Sequence, residues 1–270
     1  MTAASVLPLS GLMRSRRSEM SVLIGADPEV FLRSTTSGKI VAAIGKLGGT
    51  KQKPSKCEHG AVQEDNVLAE YNIHPAKTAD EWVFYHQTML REIMRRTNCE
   101  VVIKASHSFD IGYLQSLGKQ AVELGCEPDF CIYEEEPNSK PNPFQALRTA
   151  GGHIHISTEQ DITQVVKACD ALLGVPSVLL DDDTQRRTMY GKAGCYRKKP
   201  YGVEYRSLSN FWLRDEHVMR WAFSSAVEAS HLDVRGIDGA RAIIDDNDVQ
   251  GARQFVEKYN IPMPEGWYGH

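Results

Sequence analysis

Paired polar residues in strand-like segments most limit how this chain can fold. They form the patterns Asp-Pro-Glu at 27–29, His-Ile-His at 153–155 and Glu-Tyr-Arg at 204–206, each among apolar residues typical of a buried strand. Residues two apart in an extended strand project from the same face, so each pattern presents two polar groups to one surface. The three patterns therefore predict strands whose polar side chains converge on one concave face of a sheet.

Acidic residues in a predicted hairpin extend this cluster, with Glu64 on its first strand, Asp65 at its turn and Glu70 on its second strand. Carboxylates held close together repel one another unless cations lie between them. Carboxylate oxygens with an imidazole suit Mg²⁺ or Mn²⁺, and a nearby arginine suits phosphate held by such ions. The residues alone therefore indicate a magnesium or manganese site that can bind phosphate.

The other segments predict mixed α+β structure with a largely antiparallel sheet. Strands at 22–32 and 39–44 flank a turn-rich spacer, and a second hairpin is expected to turn at Asp65-Asn66. Thr78, with Glu81 three residues later, has the spacing of a capping box and predicts the start of a helix. Residues 181–202 carry both charges and several glycines and are predicted to form a long loop. Further strands are expected at 100–107, 129–133, 151–157 and 203–209, and further helices at about 113–124, 161–173, 215–231 and 248–259.

The organisation of the chain indicates one domain. No repeat, low-complexity tract or linker divides the 270 residues, so residues 20–270 are predicted to form a single catalytic domain. In residues 1–19 a basic cluster follows a short apolar stretch, the reverse of a signal peptide, and this segment is interpreted as a flexible leader.

The composition argues against some classes of binding partner. The net charge of −4 gives no general basic field for a nucleic acid, so nucleic acid is not an expected partner. Apolar runs are interrupted by charge, Gly or Pro before they reach the roughly eighteen residues of a membrane span, so no membrane crossing is expected. The six cysteines include no CxxC pair, which favours reduced thiols in the cytoplasm.

Four segments together resemble a known family. They are GADPEVF at 25–31, QEDNVLAEYNIHPA at 63–76, GGHIHIS at 151–157 and YGVEYRSLSNFW at 201–212. Their order resembles that of the glutamine synthetase and glutamate-cysteine ligase superfamily, and they are most similar to its phage-type carboxylate-amine ligases, type 2. The resemblance covers about residues 22–232. It implies a curved, largely antiparallel sheet with helices on its outer face, and an ATP-dependent ligase that joins a carboxylate to an amine through an acyl phosphate.

The resemblance also implies roles for individual residues. The implied ligands of Mg²⁺ or Mn²⁺ are Asp27, Glu29, Glu70, His153 and Glu204, together with either Glu64 or Asp65. Glu70 would hold the ion nearer the substrate, and His155 would lie near the nucleotide phosphates. Arg206 would steady the phosphate that is transferred.

A basic segment between Arg186 and Lys199 precedes the last motif and is expected to cover the ATP phosphates. Its cations are Arg186, Arg187, Lys192, Arg197, Lys198 and Lys199, of which Arg197 and Lys199 are the candidate phosphate ligands.

Two other functions remain open at this point. His153, His155 and Glu159 have the H-x-H-x3-E spacing of a cupin metal site, and a non-enzymatic virion or interaction protein could retain a ligase fold. The carboxylate and amine could be small molecules or peptides, and the oligomeric state is open. A phage-encoded protein of this kind would act in the cytoplasm of the host cell.

Overall fold

The computed structural model describes residues 22–122, 130–134 and 146–267. Within them, helices accompany a strongly curled, half-barrel antiparallel sheet, which confirms the predicted α+β class. The predicted leader at 1–19 lies outside the described residues. So do the end of the helix predicted at 113–124 and the start of the strand predicted at 129–133.

The strands are short, and all pairings between them are antiparallel. Those of the described residues are β1 (Ile24–Ala26), β2 (Glu29–Ser34), β3 (Ile40–Val41), β4 (Ser55–Cys57), β5 (Gly60–Asp65), β6 (Leu68–Ile73), β7 (Cys99–Val102), β8 (Ser106–Ser108), β9 (Phe130–Cys131), β10 (Leu147–Thr149), β11 (Ile154–Ser157), β12 (Cys195–Lys199) and β13 (Gly202–Tyr205). One sheet has the order β1-β11-β13-β12-β9, another has the order β3-β2-β6-β5-β4 with β7 also paired to β2, and β10 pairs with β8.

Five of the helices in the described residues begin at a side-chain cap. The helices of the described residues are α1 (Ala79–Thr97), α2 (Ile111–Ser116), α3 (Lys119–Val122), α4 (Ile162–Cys169), α5 (Val175–Leu180), α6 (Gln185–Met189), α7 (Glu216–Ala229), α8 (Ala240–Asp245) and α9 (Val249–Tyr259), with a π-helix at Asp170–Gly174 and a 3₁₀-helix at Asn210–Leu213. The Thr78 side chain accepts a hydrogen bond from Glu81 N at 3.1 Å, which confirms the predicted start of α1. Aspartates cap α2, α4, α7 and α9 in the same way.

The segment from β1 to β2 connects the two larger sheets. It was expected to form one strand at 22–32, but the strand is interrupted at Asp27-Pro28, because proline cannot donate a backbone hydrogen bond to a ladder. On one side Glu29 N donates to Gly151 O at 2.9 Å, and on the other Tyr71 N donates to Pro28 O at 3.2 Å. The interruption therefore lies between β6 and the segment that leads into β11.

Two further predictions are corrected by strand pairing. Residues 195–199, expected within a loop, form β12, because Tyr196 to Lys199 pair with β13 across a tight turn. The second hairpin turns at Asn66-Val67 rather than at Asp65-Asn66, because Asp65 pairs with Leu68. The left-handed conformation that this turn requires is adopted by Asn66, whose φ is 54°.

The main core lies beneath the outer face of the β1-β11-β13 sheet. Ile154, Ile156, Val203 and Tyr205 are fully buried there, and they alternate along the chain with the polar residues of the three patterns. Helices α4 and α7 pack against this face. The alternation of apolar and polar residues is therefore what directs the polar side chains to the opposite, concave face.

A helical run at Ile162–Leu180 is long and apolar enough, by length and composition, to cross a membrane. As expected, its apolar residues are interrupted by charge, Gly and Pro, but the helix continues through Asp170, Gly174 and Pro176. In the most apolar part of this run, 72% is buried inside the protein, as in the core helix of a folded domain.

Candidate active site

A row of polar side chains crosses the concave face of the sheet at one level. In Cα register His155 lies opposite Glu204, and Glu204 lies opposite Arg197 on the next strand. On the other side of β1 and β2, Glu29 lies opposite Glu70, and Glu70 lies opposite Gln63. Side chains opposite one another in antiparallel strands share a face. The row therefore runs from acids, through histidines, to basic residues.

Asp27, His153 and Glu204 form the centre of this row. His153 Nδ1 lies 3.3 Å from Asp27 Oδ1 and 3.6 Å from Glu204 Oε1. One ligand atom from each of the three residues lies within 4.8 Å of the others. His153 is buried and the Glu204 side chain is fully buried, so the two carboxylates and the imidazole lie close together with little access to solvent.

His155 contacts the same carboxylate from the other side. Its Nε2 lies 3.1 Å from Asp27 Oδ1, and its Nδ1 is hydrogen-bonded to the Tyr201 hydroxyl. Tyr201 occupies the turn between β12 and β13, and its pKa is raised to about 12 by burial and by the charges of Glu204 and Asp27. The sequence pattern predicted that both histidines face one surface, but it gave no signal for Tyr201.

Basic residues surround Glu204. Lys199 Nζ lies 2.7 Å and Arg197 Nη1 3.7 Å from Glu204 Oε2, while Arg206 contacts Glu204 Oε1. Arg206 Nη1 also lies 3.3 Å from His153 Nδ1. The side chains of Arg197 and Lys199 are 26% and 25% exposed, so this side of the row is open to a ligand.

Acidic residues form the other side of the row. Glu29 Oε2 accepts a hydrogen bond from Gly151 N at 2.7 Å, and Glu70 Oε2 accepts one from Gln63 Nε2 at 2.6 Å. Asp65 belongs to the same face, where its negative charge raises the pKa values of Glu29 and Glu70. Glu64 points to the other face and accepts a hydrogen bond from Leu47 N at 3.3 Å. Of the two alternatives in the hairpin, the structure therefore places Asp65 at the site.

The pKa shifts indicate an excess of negative charge on the acidic side. Burial raises the pKa of Glu29, and burial together with Asp27, Asp65 and Glu29 raises the pKa of Glu70 well above its ordinary range. At the centre, burial also raises the pKa of Asp27, but the nearby imidazoles of His153 and His155 outweigh it and leave that pKa well below its ordinary value. Neighbouring side chains thus stabilise the negative charge at the centre of the row, but not around Glu70.

The pKa of Glu204 follows the same pattern as that of Asp27. Burial and the Asp27 charge raise it, but His153, Arg206 and His155 lower it more, so the net shift is downward. Glu204 Oε2 and Asp27 Oδ1 are nonetheless buried without a well-aligned hydrogen bond from the described residues. Two buried carboxylate oxygens beside an imidazole are a donor set that fits Mg²⁺ or Mn²⁺.

Part of the predicted basic segment has a structural role instead. Arg186 is buried and donates to the backbone oxygens of Ser207 and Arg206, and Arg187 donates to Ser177 Oγ. Lys198 is exposed on the outer face of β12, because it lies between the two inward residues Arg197 and Lys199. The expectation that the whole segment covers phosphates was wrong.

Two glycines allow His153 to enter the site. A methyl group at Gly151 would lie 2.4 Å from His153 Nε2, and one at Gly152 would lie 2.2 Å from the backbone oxygen of Ser209. The Trp212 indole donates to Gly152 O at 3.0 Å and holds this backbone in place. A Gly-Gly pair directly before a polar strand was a usable sequence signal for such close packing.

The cupin arrangement does not form. Glu159 is exposed beyond the end of β11, whereas His153 and His155 both contact Asp27. The H-x-H-x3-E spacing is therefore explained by a histidine strand followed by a surface acid.

Part of the second half of the chain is similar to a known family. Residues 140–235 match the family described as Phage phiEco32-like COOH.NH2 ligase-type 2. A search of curated proteins found no significant match. The matched segment includes β11 and the β12–β13 hairpin, with both histidines and Glu204. The match supports the family that the four motifs predicted, the COOH-NH2 ligases of type 2, whose name implies the joining of a carboxylate to an amine.

Proposed function

We propose that this protein is an ATP-dependent carboxylate-amine ligase that uses Mg²⁺ or Mn²⁺ and forms an acyl phosphate. The observation that carries the proposal is the row across the sheet, in which Asp27, His153 and Glu204 lie between acids and basic residues. A carboxylate and a polyphosphate repel each other, and such a row offers positions for cations on one side and for phosphate on the other.

The reaction has two steps. A carboxylate oxygen of the substrate attacks the terminal phosphorus of ATP, and ADP leaves. The amine then attacks the acyl carbon, phosphate leaves, and the amine nitrogen loses a proton, which gives an amide. A bound divalent ion would screen the negative charges of the carboxylate and the phosphates.

The proposed ligands of that ion are Asp27, His153 and Glu204, with Glu29, Glu70 and Asp65 available for a second ion on the acidic side. Arg206, Arg197 and Lys199 would leave Glu204 in part and hold the phosphate oxygens, since an arginine fork binds two oxygens at once. The substrates would be small-molecule or peptide carboxylates and amines, and the reaction would take place in the cytoplasm.

A Mn²⁺ titration monitored by electron paramagnetic resonance tests the metal site. The parent protein is expected to bind Mn²⁺, and Glu204→Gln to bind it at least tenfold more weakly, because a buried carboxylate ligand is lost. Glu159→Gln, at an exposed position, is the matched control and is expected to bind like the parent. Equal affinity in Glu204→Gln and the parent would exclude Glu204 as a ligand.

Trapping with hydroxylamine tests the chemistry without knowledge of the amine. With ATP, Mg²⁺ and a panel of carboxylates, an activated acyl group is expected to give a hydroxamate and one ADP per hydroxamate. A carboxylate labelled with oxygen-18 is expected to transfer the label to the released phosphate, since the C–O bond of the acyl phosphate breaks. Hydroxamate with no label in phosphate would rule out the acyl phosphate.

A further inference from the structure

Two cysteines that the proposed function does not use lie directly opposite each other on neighbouring strands. Cys131 of β9 pairs in Cα register with Cys195 of β12, and side chains opposite one another in antiparallel strands share a face. Both are buried, and each is a thiol in the structure. The two residues lie far apart in the sequence, so the fold brings them together.

The hydrogen bonding between these strands suits a disulfide. Ile132 N donates to Gly194 O at 2.9 Å, so the hydrogen-bonded position lies beside the cysteines, which form a non-hydrogen-bonded pair. Cα atoms in such a pair lie about 4.5 Å apart, the closest approach in an antiparallel sheet. Disulfides join Cα atoms that are roughly 4.4 to 6.8 Å apart. A bond between the two sulfurs therefore requires rotation of side chains and no movement of the strands.

Asp170 holds the two segments in this register. Its carboxylate accepts hydrogen bonds from the Tyr133 hydroxyl at 2.7 Å and from Gly194 N at 3.0 Å. Tyr133 follows Cys131 by two residues, and Gly194 directly precedes Cys195. A methyl group at Gly194 would lie 2.7 Å from the Tyr133 ring, so glycine permits this close approach. The fold therefore fixes the two thiols opposite each other.

The thiol pair lies beside the basic side of the row. Cys195, Arg197 and Lys199 alternate along β12 and so share its concave face. Arg206 N donates to Cys195 O at 2.8 Å, which places Cys195 next to Arg206 across the hairpin. A change in the oxidation state of Cys195 therefore takes place next to this basic side, although the inference does not rest on the proposed function.

We propose that Cys131 and Cys195 form a redox-modification site, at which hydrogen peroxide converts the two thiols to a disulfide between β9 and β12. One thiolate attacks a peroxide oxygen, the O–O bond breaks, and the leaving hydroxide takes up the proton of the thiol, which gives a sulfenic acid and water. The second thiol attacks the sulfenic sulfur, the S–O bond breaks, and a second water leaves. Two thiols are thus oxidised by two electrons while the peroxide is reduced to water, and a thiol reductant reverses the change.

Burial determines which oxidant reaches the pair. Cys131 and Cys195 are 5% and 3% exposed, so a small peroxide reaches them more easily than a bulky disulfide such as oxidised glutathione. Burial also raises the pKa of the Cys131 thiol, which slows its reaction until β9 opens. β9 has two residues and ends the described part of its sheet, and elements with so few contacts open locally. In a reducing cytoplasm the two thiols are the resting state, and the disulfide forms during exposure to peroxide.

Peptide mapping by mass spectrometry of the full-length parent tests the bond directly. Folded protein is treated with hydrogen peroxide, remaining thiols are alkylated during denaturation, and the digest is searched for linked peptides. A disulfide between Cys131 and Cys195 is expected after peroxide, and its loss after dithiothreitol. Two alkylated thiols, a link from Cys131 to Cys126, which lies outside the described residues, or sulfinic acids in place of the link would overturn the proposal.

Thermal unfolding of variants tests whether the bond fits the fold. Cys131→Ser and Cys195→Ser each remove one partner, and Cys99→Ser is the matched control, because Cys99 is a buried strand cysteine that lies opposite Ser34. Peroxide is expected to raise the Tm of the parent and of Cys99→Ser by roughly 5 to 15 °C, since the bond closes a long loop, and to raise it in neither of the other variants. An unchanged or lower Tm in the oxidised parent, or an equal rise in Cys131→Ser, would overturn the proposal.

Discussion

Arg206 contacts the site as it stands and is the residue that we propose binds the transferred phosphate. It contacts Glu204 and lies 3.3 Å from His153 Nδ1, so its planar fork lies at the centre of the row. Lysine would keep the charge but could not bind two oxygens of one phosphate at a fixed spacing.

Arg206→Lys is therefore expected to lower ATP turnover in the hydroxylamine assay by roughly tenfold to a thousandfold, about 1.4 to 4 kcal/mol of transition-state stabilisation. Folding and ATP binding are expected to remain nearly intact. Lys198→Arg, on the outer face of β12, is the control and is expected to turn over like the parent. Parent-like turnover in Arg206→Lys would remove Arg206 from the phosphate chemistry.

At the residue scale the sequence predicted which residue types meet, but not every side-chain direction. The i, i+2 spacing correctly placed both histidines, and Glu204 with Arg206, on one face. It could not choose between Glu64 and Asp65, because moving a hairpin turn by one residue exchanges the two faces of the strand. Tyr201 was missed because a tyrosine in a turn has no periodic pattern.

At the scale of elements, the two glycines before β11 allow effects on the site to be distinguished from effects on the stability of the fold. A methyl group at Gly151 meets the movable ring of His153, whereas one at Gly152 meets the backbone of Ser209. We expect Gly151→Ala to weaken Mn²⁺ binding at least tenfold while the free energy of unfolding stays within about 1 kcal/mol of the parent.

Gly152→Ala is instead expected to lower the free energy of unfolding by about 1 to 3 kcal/mol, since the backbone of the 3₁₀-helix region must move. Urea unfolding and Mn²⁺ titration of both variants check this contrast. Similar losses of stability in the two variants would mean that His153 cannot move independently of the sheet.

The π-helix carries a buried acid that links helix and sheet. Asp170 accepts hydrogen bonds from the hydroxyls of Tyr133 and Tyr205 and from Gly194 N. Burial raises its pKa from 3.8 to about 6. The folded state therefore binds the Asp170 proton more tightly than the unfolded state, so the stability that this group contributes is complete below about pH 4 and falls as pH rises to about 6.

Asp170→Asn removes this titration and keeps the size of the side chain. The free energy of unfolding of the variant minus that of the parent is expected to increase between pH 4 and 6, by an amount on the order of 3 kcal/mol, and to be constant above pH 7. Urea unfolding at a series of pH values measures this difference. A difference that does not vary with pH would show that Asp170 titrates alike in both states.

Elements marked by a local sequence signal were predicted well, and those without one were not. Helix α1 begins at Thr78 because its cap and its apolar stripe lie within one short segment. Strand β12 was missed because Arg197 and Lys199 face the site, which leaves few apolar residues to mark it. The interruption of the first strand at Pro28 could not be predicted, because it depends on the segments that pair with the chain on both sides of this point.

For the whole molecule, the curled sheet predicts that the metal ion we propose would stabilise the fold if it binds. Asp27 belongs to the connection between the two larger sheets, whereas Glu204 belongs to one of them. An ion that binds only the folded protein at a concentration of 100 times its Kd adds about 2.7 kcal/mol, which corresponds to a rise in Tm of roughly 5 to 10 °C.

Differential scanning fluorimetry with Mn²⁺ and with EDTA measures this shift. Asp27→Asn is expected to show a shift of less than about 2 °C, because a shared ligand is lost. An equal shift in the parent and in Asp27→Asn would place the stabilising ion elsewhere.

The segment shared by the two sheets also has a consequence during synthesis. Leu23 N donates a hydrogen bond to Ser157 Oγ, which lies 134 residues further along the chain. At translation rates of about 5 to 20 residues per second, the first strand waits roughly 7 to 27 s before that partner leaves the ribosome. Of its two partners in the folded protein, Ile24 then has only Ala76 available, on its other edge. The nascent chain is thus expected to build the acidic side of the site first and to present one unpaired strand edge to chaperones until β11 arrives.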